Sequence, residues 1–418
     1  MRHDLRVRGN QALCELVKRC DNVAVVYVLD TDNMWYQQFT SADNNQHQRQ
    51  FINQALIDVK TQLAQYNIPL YCFSGSPTNI VSDLLNSHTV DYVSYERHNG
   101  LNEIRQTDAL RAQKPSLGII EGNSNYLYSL DTLPFNIENM PNVFSPFRRK
   151  VEKYAEVKAL AYKQLKTSKP FVLHNTSCSE YTPFATNENK QGDYKGGETA
   201  ALQRMQEYFF NTDLIAKYKE TRNGLDGWDF SSRLSAFLAH GCISPLQVIE
   251  QLKSYEETRI KNDSTYWLFF ELLWREFFHL QMLKHGTRFF DIKGQRESIN
   301  DIPSHCQHNE KNFEQWINGD TDYPIVNACM NQLNTTGFMS NRGRQLVASC
   351  FVHELGLDWR YGAAYFEQKL IDFDVASNYG NWQYLAGVGS DPRGLRQFNL
   401  TKQTQTYDPQ HTFIKAWT

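Results

Sequence analysis

The segment YWLFFELLWREFFHLQML, residues 266–283, restricts the possible folds more than any other part of the sequence. Its apolar side chains would surround an α-helix, so this helix must be buried by other elements. Segments with helical patterns, such as SRLSAFLAHG, GRQLVASCFVHELG and AYFEQKLIDF, occupy almost all of the chain after residue 198. The sequence therefore predicts a large all-α domain, to which we assign residues 196–418.

The first 130 residues have a different pattern, in which short apolar runs alternate with amphipathic segments. VAVVYVLD (23–30) and IPLYCFSG (68–75) are typical of buried parallel strands, SLGII (116–120) is a further short apolar run, and INQALIDVKTQLAQY (52–66) has helical spacing. This alternation predicts a doubly wound α/β domain at residues 1–130. We expect a long connector at 131–195, with one helix near 147–166.

The start of the chain departs from this α/β pattern. Such domains usually open with an apolar strand, whereas RHDLRVRGNQAL is a polar turn that leads into a helix. We therefore expect a parallel sheet whose first strand is missing. Either the true start lies upstream of Met1, or the α/β domain is compromised.

Composition limits the class of protein. A chain of 418 residues with 41% hydrophobic content can form two or three domains. The net charge of -3 gives no global basic field that would indicate a nucleic-acid partner, although a local basic face is compatible with it. The eight cysteines form no CxxC pair, and no apolar run reaches the ~18 residues of a membrane helix. We expect a soluble cytoplasmic monomer without a structural metal.

The segment 266–283 also carries charged residues. Glu271, Trp274, Arg275 and Phe278 follow helical spacing and would share one face. A carboxylate and a guanidinium inside a buried helix are costly unless they pair or line a polar cavity. An internal Glu271–Arg275 ion pair and a charged cavity wall both remain open.

Two further segments contain candidate ligand-binding residues. In SSRLSAFLAHG, an N-cap at Ser231 or Ser232 together with Arg233 would form an anion site, although an ordinary serine cap is the simpler interpretation of this segment alone. In GFMSNRGRQ, Asn341 and Arg344 would share a helix face, with surface arginines as the alternative.

The segment DFDVASNYGNW, residues 372–382, places two acids close together. In one continuous helix Asp372 and Asp374 would lie ~200° apart, whereas a break with Asp374 as N-cap would let both face one ligand. Asp374, Asn378 and Trp382 are spaced by four and would line one wall. A metal site competes weakly, since two acids without a third nearby ligand do not suffice.

These motifs, in this order, resemble the photolyase/cryptochrome flavoproteins and, within them, the DASH cryptochromes. The resemblance is carried by GGETAAL, YKETRNGLDGWDFSSRLSAFLAHGCISP, ELLWREFF, GFMSNRGRQLVAS, DWRYGAAYFE, DFDVASNYGNWQYLAGVGSDPR and FNLTKQ. It is close over residues 190–408 and looser before them, through DLRVRGNQAL and VFSPFRRKVEK. SNYGNW and the end of SNRGRQ favour the DASH branch.

The resemblance implies that the helical domain binds FAD in a bent conformation. The residues that match the family's adenine and diphosphate side are Tyr218, Ser231, Ser232, Arg233, Leu234 and Ser235. Those that match its flavin and ribityl side are Arg275, Asn341, Arg344, Asp372, Asp374 and Asn378, with Asn378 facing flavin N5.

The resemblance also implies light-driven repair of cyclobutane pyrimidine dimers, mainly in single-stranded DNA. Glu271 and Trp274 match residues that contact the flipped lesion, and the further substrate-side positions are Arg222, Gln345, Tyr384 and Gln403. A local basic rim would consist of Arg222, Arg342, Arg344, Arg393 and Arg396. A blue-light photoreceptor without significant repair activity is the alternative, and a flavin-binding remnant is a third.

Two features concern other cofactor functions of the family. Trp382 and Trp359 match the inner members of its tryptophan chain for flavin photoreduction, whereas the outer position falls at Cys306. We therefore expect slower or rerouted photoreduction, with Trp316, Tyr361 or Tyr365 as substitutes and repair intact. The family's α/β domain often helps to hold an antenna, such as the folate methenyltetrahydrofolate, and Glu96 lies near the expected region.

Overall fold

The computed structural model describes residues 1–31, 38–39, 46–160, 165–174, 178–184, 194–296, 309–391 and 396–418. The strands are β1 Asn22–Val23, β2 Val25–Asp30, β3 Leu70–Gly75, β4 Tyr92–Glu96, β5 Gly118–Gly122 and β6 Lys169–Pro170. The helices of the first half are α1 Gln11–Arg19, α2 Gln46–Ala64, α3 Pro77–Ser87, α4 Leu101–Gln113 and α5 Phe144–Tyr154. The helices of the second half are α6 Glu198–Gln206, α7 Tyr218–Thr221, α8 Ser235–Ala239, α9 Pro245–Thr258, α10 Asp263–His285, α11 Glu310–Ile317, α12 Pro324–Thr336, α13 Asn341–Ser349, α14 Trp359–Lys369, α15 Val375–Leu385, α16 Leu400–Tyr407 and α17 Thr412–Trp417.

The strands of the first half form parallel pairs, as the sequence predicts. β2 pairs with β3, β4 pairs with β5, and β1 pairs with β6. Among the described residues no strand lies between β2 and β4, and a cavity of about 860 Å³ separates them. The sheet therefore has a gap where a doubly wound fold would place its first strand.

The helical half is built around α10. Asn262 caps this helix and forms a reciprocal capping box with Thr265, which fixes where it begins. The helix packs against α15, α7, α9 and α5, and most of its apolar side chains are buried. This confirms the prediction of a buried central helix. Within the described chain, no helix combines the length and the apolar composition that crossing a membrane requires.

The N-terminal segment joins the two halves. The Arg6 side chain is fully buried and donates to Asn125 Oδ1 at 3.0 Å and to the Gly241 carbonyl at 2.9 Å. The Val7 and Arg8 amides donate to the buried carboxylate of Glu198. Apolar residues of both halves belong to one continuous core. The α/β and helical parts are therefore packed as one body at this point.

The connector differs from the prediction of a helix near 147–166. The helix is α5, Phe144–Tyr154, which begins earlier and ends earlier. Its buried face is formed by Phe144, Phe147 and Val151. After Tyr154 the chain turns away, because the Lys158 amide bonds to the Leu127 carbonyl instead of continuing the helix.

The predicted serine cap is also wrong. Helix α8 begins at Ser235 with Leu234 at the N-cap position, and Ser231 has an extended backbone. The carbonyl groups of Ser231 and Ser232 accept hydrogen bonds from the buried guanidinium of Arg204, which holds both residues outside the helix. This tertiary contact is not visible in the local sequence pattern.

Candidate functional site

A cavity of about 680 Å³ lies in the helical half, between α7, α10, α13, α15 and the segment before α8. It is lined by nearly all the residues singled out from the sequence, namely Tyr218, Arg222, Ser231, Ser232, Arg233, Leu234, Ser235, Glu271, Trp274, Arg275, Asn341, Arg344, Gln345, Asp372, Asp374, Asn378, Trp382 and Tyr384. Trp359 and Gln403 do not belong to this lining. Segments far apart in the chain thus converge on one cavity.

Arg344 and Asp372 form an ion pair in the cavity wall. Ser340 caps α13, and its hydroxyl accepts from the Gly343 amide, so that Arg344 projects from the first turn. One guanidinium nitrogen donates to both carboxylate oxygens of Asp372 at 2.8 Å, and Arg344 Nε donates to the Met339 carbonyl. The buried carboxylate is therefore paired, and the guanidinium is fixed in orientation.

Asp374 is the N-cap of α15, as the sequence predicts. Its Oδ1 accepts from the Ser377 amide at 2.7 Å, and its Oδ2 accepts from His279 Nε2 at 2.8 Å. Burial alone would raise the pKa of Asp374, but His279, Arg275 and the Ser377 amide hold the pKa well below its usual value. The break before α15 separates Asp374 from Asp372, and both line the cavity.

Asn378 lies on the first turn of α15. Its Nδ2 donates to the Ala363 carbonyl at 2.9 Å, which fixes the plane of the amide. Because the side chain is buried and lines the cavity, the amide presents a fixed polar group there.

His279 was missed in the sequence. It lies four residues after Arg275 on α10, so helical spacing alone could have placed it on the same face. His279, His98 and Asp374 lie close enough together to hold a metal ion. His3, His98 and Glu103 form a second such group. The hydrogen bonds of His279 to Asp374 and of His3 to Glu103 account for the short distances without an ion.

Glu271 pairs with a residue other than Arg275. Glu271 Oε1 lies 2.8 Å from an Arg222 guanidinium nitrogen, whereas Arg275 donates to the Asn125 carbonyl at 3.0 Å. The prediction of an internal Glu271–Arg275 pair is therefore wrong. The helix instead forms the charged wall of a cavity. Burial raises the pKa of the Glu271 carboxyl group, an effect that Arg222 partly offsets.

Aromatic side chains continue this wall. The Trp274 ring stacks on Phe144 with a centroid distance of 3.8 Å and an interplanar angle of 10°, and Tyr384 contacts it edge-on at 5.9 Å. Trp267 also lines the cavity and lies four residues before Glu271, so helical spacing places it on the same face. Phe144, on the connector helix α5, therefore fixes one face of Trp274.

Trp382, which lines the cavity, also contacts further buried aromatic rings. Trp382 is buried, and its ring lies 6.1 Å from that of Trp316, which in turn lies 5.7 Å from Tyr365. Trp359 is buried and lies 6.2 Å from the Tyr379 ring. Cys306 and Arg393 lie outside the described residues.

The arginines of the predicted rim differ in their partners. Arg222, Arg344 and Arg396 line the cavity, and each is paired with a carboxylate. Arg342 instead donates to Asn223 Oδ1 and lies over the Tyr407 ring at 4.6 Å.

Glu96, near the expected antenna region, has a structural role. Its carboxylate accepts hydrogen bonds from the Ala12 amide at 2.9 Å and from the Ser124 amide at 2.7 Å. Through these bonds it holds the start of α1 against the chain that follows β5.

Comparison with known proteins supports both halves of this description. A family model described as the FAD-binding domain of DNA photolyase matches residues 267–418, and one described as DNA photolyase matches residues 1–167. A cryptochrome DASH of Idiomarina loihiensis is 43% identical over 416 residues, which span 100% of this chain and 91% of that protein. The chain belongs to the DASH cryptochromes of the photolyase/cryptochrome family.

Solved structures agree with this membership. A Synechocystis sp. PCC6803 cryptochrome matches this DASH cryptochrome with a TM-score of 0.88 and 35% identity, covering 100% of this chain and 87% of that one. A bacterial class III photolyase from Agrobacterium tumefaciens matches with a TM-score of 0.85 and 27% identity, covering 100% and 85%. The α/β half followed by a large helical half is thus the fold of this family.

The cavity of this DASH cryptochrome fits the family's FAD. Its volume of about 680 Å³ is within the range of ligand pockets, roughly 300–1,000 Å³. Arg233 Nε and Trp382 Nε1 are buried and have no hydrogen-bond partner among the described residues. Buried donors without partners are costly, so these atoms suit a polar ligand. The Arg344–Asp372 pair and the aromatic walls suit a ligand with both charge and flat rings.

Proposed function

We propose that this chain repairs cyclobutane pyrimidine dimers in DNA, mainly single-stranded DNA, in a light-driven reaction that depends on FAD. The observation that carries the proposal is that Glu271 and Trp274 line the same cavity as Asn378 and the Arg344–Asp372 pair. A lesion-contacting pair and a flavin-contacting set therefore belong to one site.

Within this site, the first set of residues holds the cofactor. Tyr218 and the segment Ser231, Ser232, Arg233, Leu234 and Ser235 would hold its adenine and diphosphate side. Arg275, Asn341, Arg344, Asp372 and Asp374 would hold the flavin and ribityl side. Asn378, whose amide is fixed by the Ala363 carbonyl, would hold the flavin ring near N5. When bound in its reduced form and illuminated, FAD would supply an electron that the dimer returns after it splits, so repair consumes no net electron.

The second set of residues holds the lesion. Stacking on Trp274, whose rear face is fixed by Phe144, contributes ~1–3 kcal/mol per base. This offsets the few kcal/mol needed to flip bases out, a cost that is smaller for damaged or single-stranded DNA. The Glu271 carboxyl group, which Arg222 keeps oriented, forms a hydrogen bond with the lesion. Gln345 and Tyr384 line the cavity beside them, and Gln403 contacts DNA beyond it.

The decisive experiment follows dimer loss in ultraviolet-irradiated oligonucleotides under blue light and in darkness. Reduced, FAD-loaded protein should remove dimers only under light, and faster from single-stranded than from double-stranded substrate. Replacing Glu271 with Ala should slow repair roughly tenfold, as expected for a lost hydrogen bond of about 1.5 kcal/mol. The matched control Glu314→Ala, an exposed glutamate on α11, should repair like the unchanged protein.

The alternative is a blue-light photoreceptor without significant repair activity. A protein that holds FAD and responds to light, but removes no dimers from either substrate, would support this alternative and contradict the proposal. Cytoplasmic localisation, a monomeric state and the division into residues 1–130, 131–195 and 196–418 belong to the same proposal.

A further inference from the structure

Two histidines and a glutamate meet where the N-terminal segment passes the start of α4, outside the lining of the cavity in the helical half. His98 lies between β4 and α4, and Glu103 is in the first turn of α4. His3 Nε2 lies 2.9 Å from Glu103 Oε1, and His98 Nδ1 lies 3.6 Å from Glu103 Oε2. The two imidazole rings stack with a centroid distance of 4.2 Å. Each carboxylate oxygen therefore faces one imidazole nitrogen.

Hydrogen bonding explains the position of His3 but not that of His98. The Gly100 amide donates to His98 Nδ1 at 3.1 Å, so this nitrogen presents a lone pair and carries no proton. His98 Nδ1 therefore has nothing to donate to Glu103 Oε2, although the two atoms lie only 3.6 Å apart. Two acceptors that face each other at this distance repel, and a cation between them would turn the repulsion into attraction.

Gly100 provides the space for this close approach. A Cβ atom at this position would clash with Glu103 Oε2 and would lie 2.8 Å from His98 Nδ1. The backbone of Gly100, with φ of -64° and ψ of 141°, is one that any residue can adopt. The glycine is therefore required by the side chains around it, and it allows the carboxylate and the imidazole to converge.

The distances and the ligand types suit a zinc ion. Bonds of about 2.1 Å from zinc to nitrogen and oxygen place the ligand atoms of a tetrahedral site roughly 3.4 Å apart. The observed separations of 2.9 and 3.6 Å lie on either side of this value. Two imidazoles favour Zn²⁺ over Mg²⁺ and Ca²⁺, which prefer oxygen ligands. The side chains of His3 and Glu103 are 34% and 18% exposed, so an ion can enter and water can complete its coordination.

We propose that His3, His98 and Glu103 form a binding site for one Zn²⁺ ion. His98 coordinates the ion through Nδ1, Glu103 through its carboxylate, and His3 through Nε2, with the proton of the neutral His3 ring moving to Nδ1. The ion replaces the His3–Glu103 hydrogen bond and separates His98 Nδ1 from Glu103 Oε2. Because the ligands come from the N-terminal segment and from both sides of the turn into α4, the bound ion stabilises the folded α/β half.

The test titrates the full, untagged chain with Zn²⁺ alone, against a chromophoric chelator. The unchanged chain should bind one Zn²⁺ at this site, and Glu103→Gln and His3→Ala should each weaken that binding at least tenfold. The matched controls Glu15→Gln and His174→Ala, in the same half of the chain, should bind like the unchanged chain. Zn²⁺ at about a hundred times its Kd should raise the Tm by roughly 3 °C, a rise that Glu103→Gln should lack.

Equal Zn²⁺ affinity in the unchanged chain, Glu103→Gln and His3→Ala would overturn the proposal. Binding that is lost in Asp374→Asn but kept in Glu103→Gln would overturn it in favour of the group of His98, His279 and Asp374. Glu103→Gln preserves the size of the side chain, and far-UV circular dichroism equal to that of the unchanged chain confirms that the variant is folded. None of these readouts depends on light or on dimer repair, so they are independent of the proposed repair activity.

Discussion

Asp374 combines two interactions through its two oxygens. Oδ1 caps α15 by accepting from the Ser377 amide, and Oδ2 accepts from His279. The cap is a local feature that the spacing in DFDVASNYGNW already indicated. The histidine comes from α10, 95 residues earlier, and only the packing of α10 against α15 brings it there.

Two substitutions of Asp374 separate these interactions. Asp374→Asn keeps a good capping side chain but loses the charge, whereas Asp374→Ala loses both. The free energy of unfolding should therefore be about 1 kcal/mol lower for Asp374→Ala than for Asp374→Asn. The pKa of Asp374 is lowered in the folded chain, so its stabilising contribution is present above the unfolded pKa of ~3.9 and is lost as the pH falls below it. Urea unfolding of flavin-free protein between pH 7 and 3 measures this. A difference between the unchanged chain and Asp374→Asn that stays constant into acid would contradict the assignment.

The Arg344–Asp372 pair predicts a second outcome at this scale. Arg344→Lys removes the delocalised guanidinium that contacts both Asp372 oxygens and Met339, and lysine cannot reproduce that geometry. The affinity for FAD should fall about tenfold, or ~1.4 kcal/mol. The ratio of FAD to protein after purification, measured by absorbance, should fall with it. Arg360→Lys is the matched control, since Arg360 pairs with Asp358 outside the cavity lining. Equal flavin content in both variants would contradict a cofactor role for Arg344.

At the scale of elements, the sequence predicts the helices and strands whose apolar period and capping residues lie within the element itself. The buried helix α10, the cap and the cavity wall of α15, and the parallel pairing of β2 with β3 follow from period and capping residues. The start of α8 did not, because Arg204 from α6 binds the carbonyl groups of Ser231 and Ser232 and holds both residues outside the helix. The connector helix was misplaced for a similar reason, since Lys158 pairs with Leu127. The sequence does not show which residues of different elements pair with each other, such as Arg222 with Glu271.

The packing of α11, α14 and α15 brings three aromatic rings together. The Trp382 ring lies 6.1 Å from Trp316, which contacts Tyr365, and we propose these rings as an electron path to the flavin, in place of one through position 306. Trp316→Phe should therefore slow flavin photoreduction, while repair by chemically reduced protein stays unchanged. Transient absorption measures the rate, and Trp417→Phe is the control because Trp417 bonds to Asp226 away from this cluster. An ordinary long-lived tryptophan radical at the surface of the unchanged protein would contradict a rerouted path.

At the scale of the whole molecule, the N-terminal segment holds the two halves together. Arg6→Met would leave the Asn125 oxygen and the Gly241 carbonyl without their buried donor. Each unsatisfied group costs about 1–3 kcal/mol, so the free energy of unfolding should fall by several kcal/mol. Arg8→Met is the control, since the Arg8 side chain is exposed and only its backbone amide binds Glu198. Urea unfolding that gives equal values for both variants would contradict this role of Arg6.

The charge distribution of the whole molecule predicts how DNA binding responds to salt. The net charge is -3, so attraction to DNA depends on the local rim of arginines. Affinity for single-stranded DNA should fall linearly with salt on logarithmic axes. Arg342→Ala should reduce the slope by roughly 0.7, the value for one phosphate contact. Lys18→Ala, on α1 in the other half, should leave the slope unchanged. Affinity that does not vary with salt would exclude the rim as a DNA contact.

The stacking of Phe144 on Trp274 connects helix α5 to the proposed lesion site. A side chain from α5, outside the helical half, sets the tilt of a ring inside the cavity, at a centroid distance of 3.8 Å. If this chain repairs dimers as proposed, we expect substitutions along α5, which does not line the cavity, to alter discrimination between damaged and intact bases. A mutational search limited to cavity-lining positions would miss this indirect effect of α5 on the Trp274 ring.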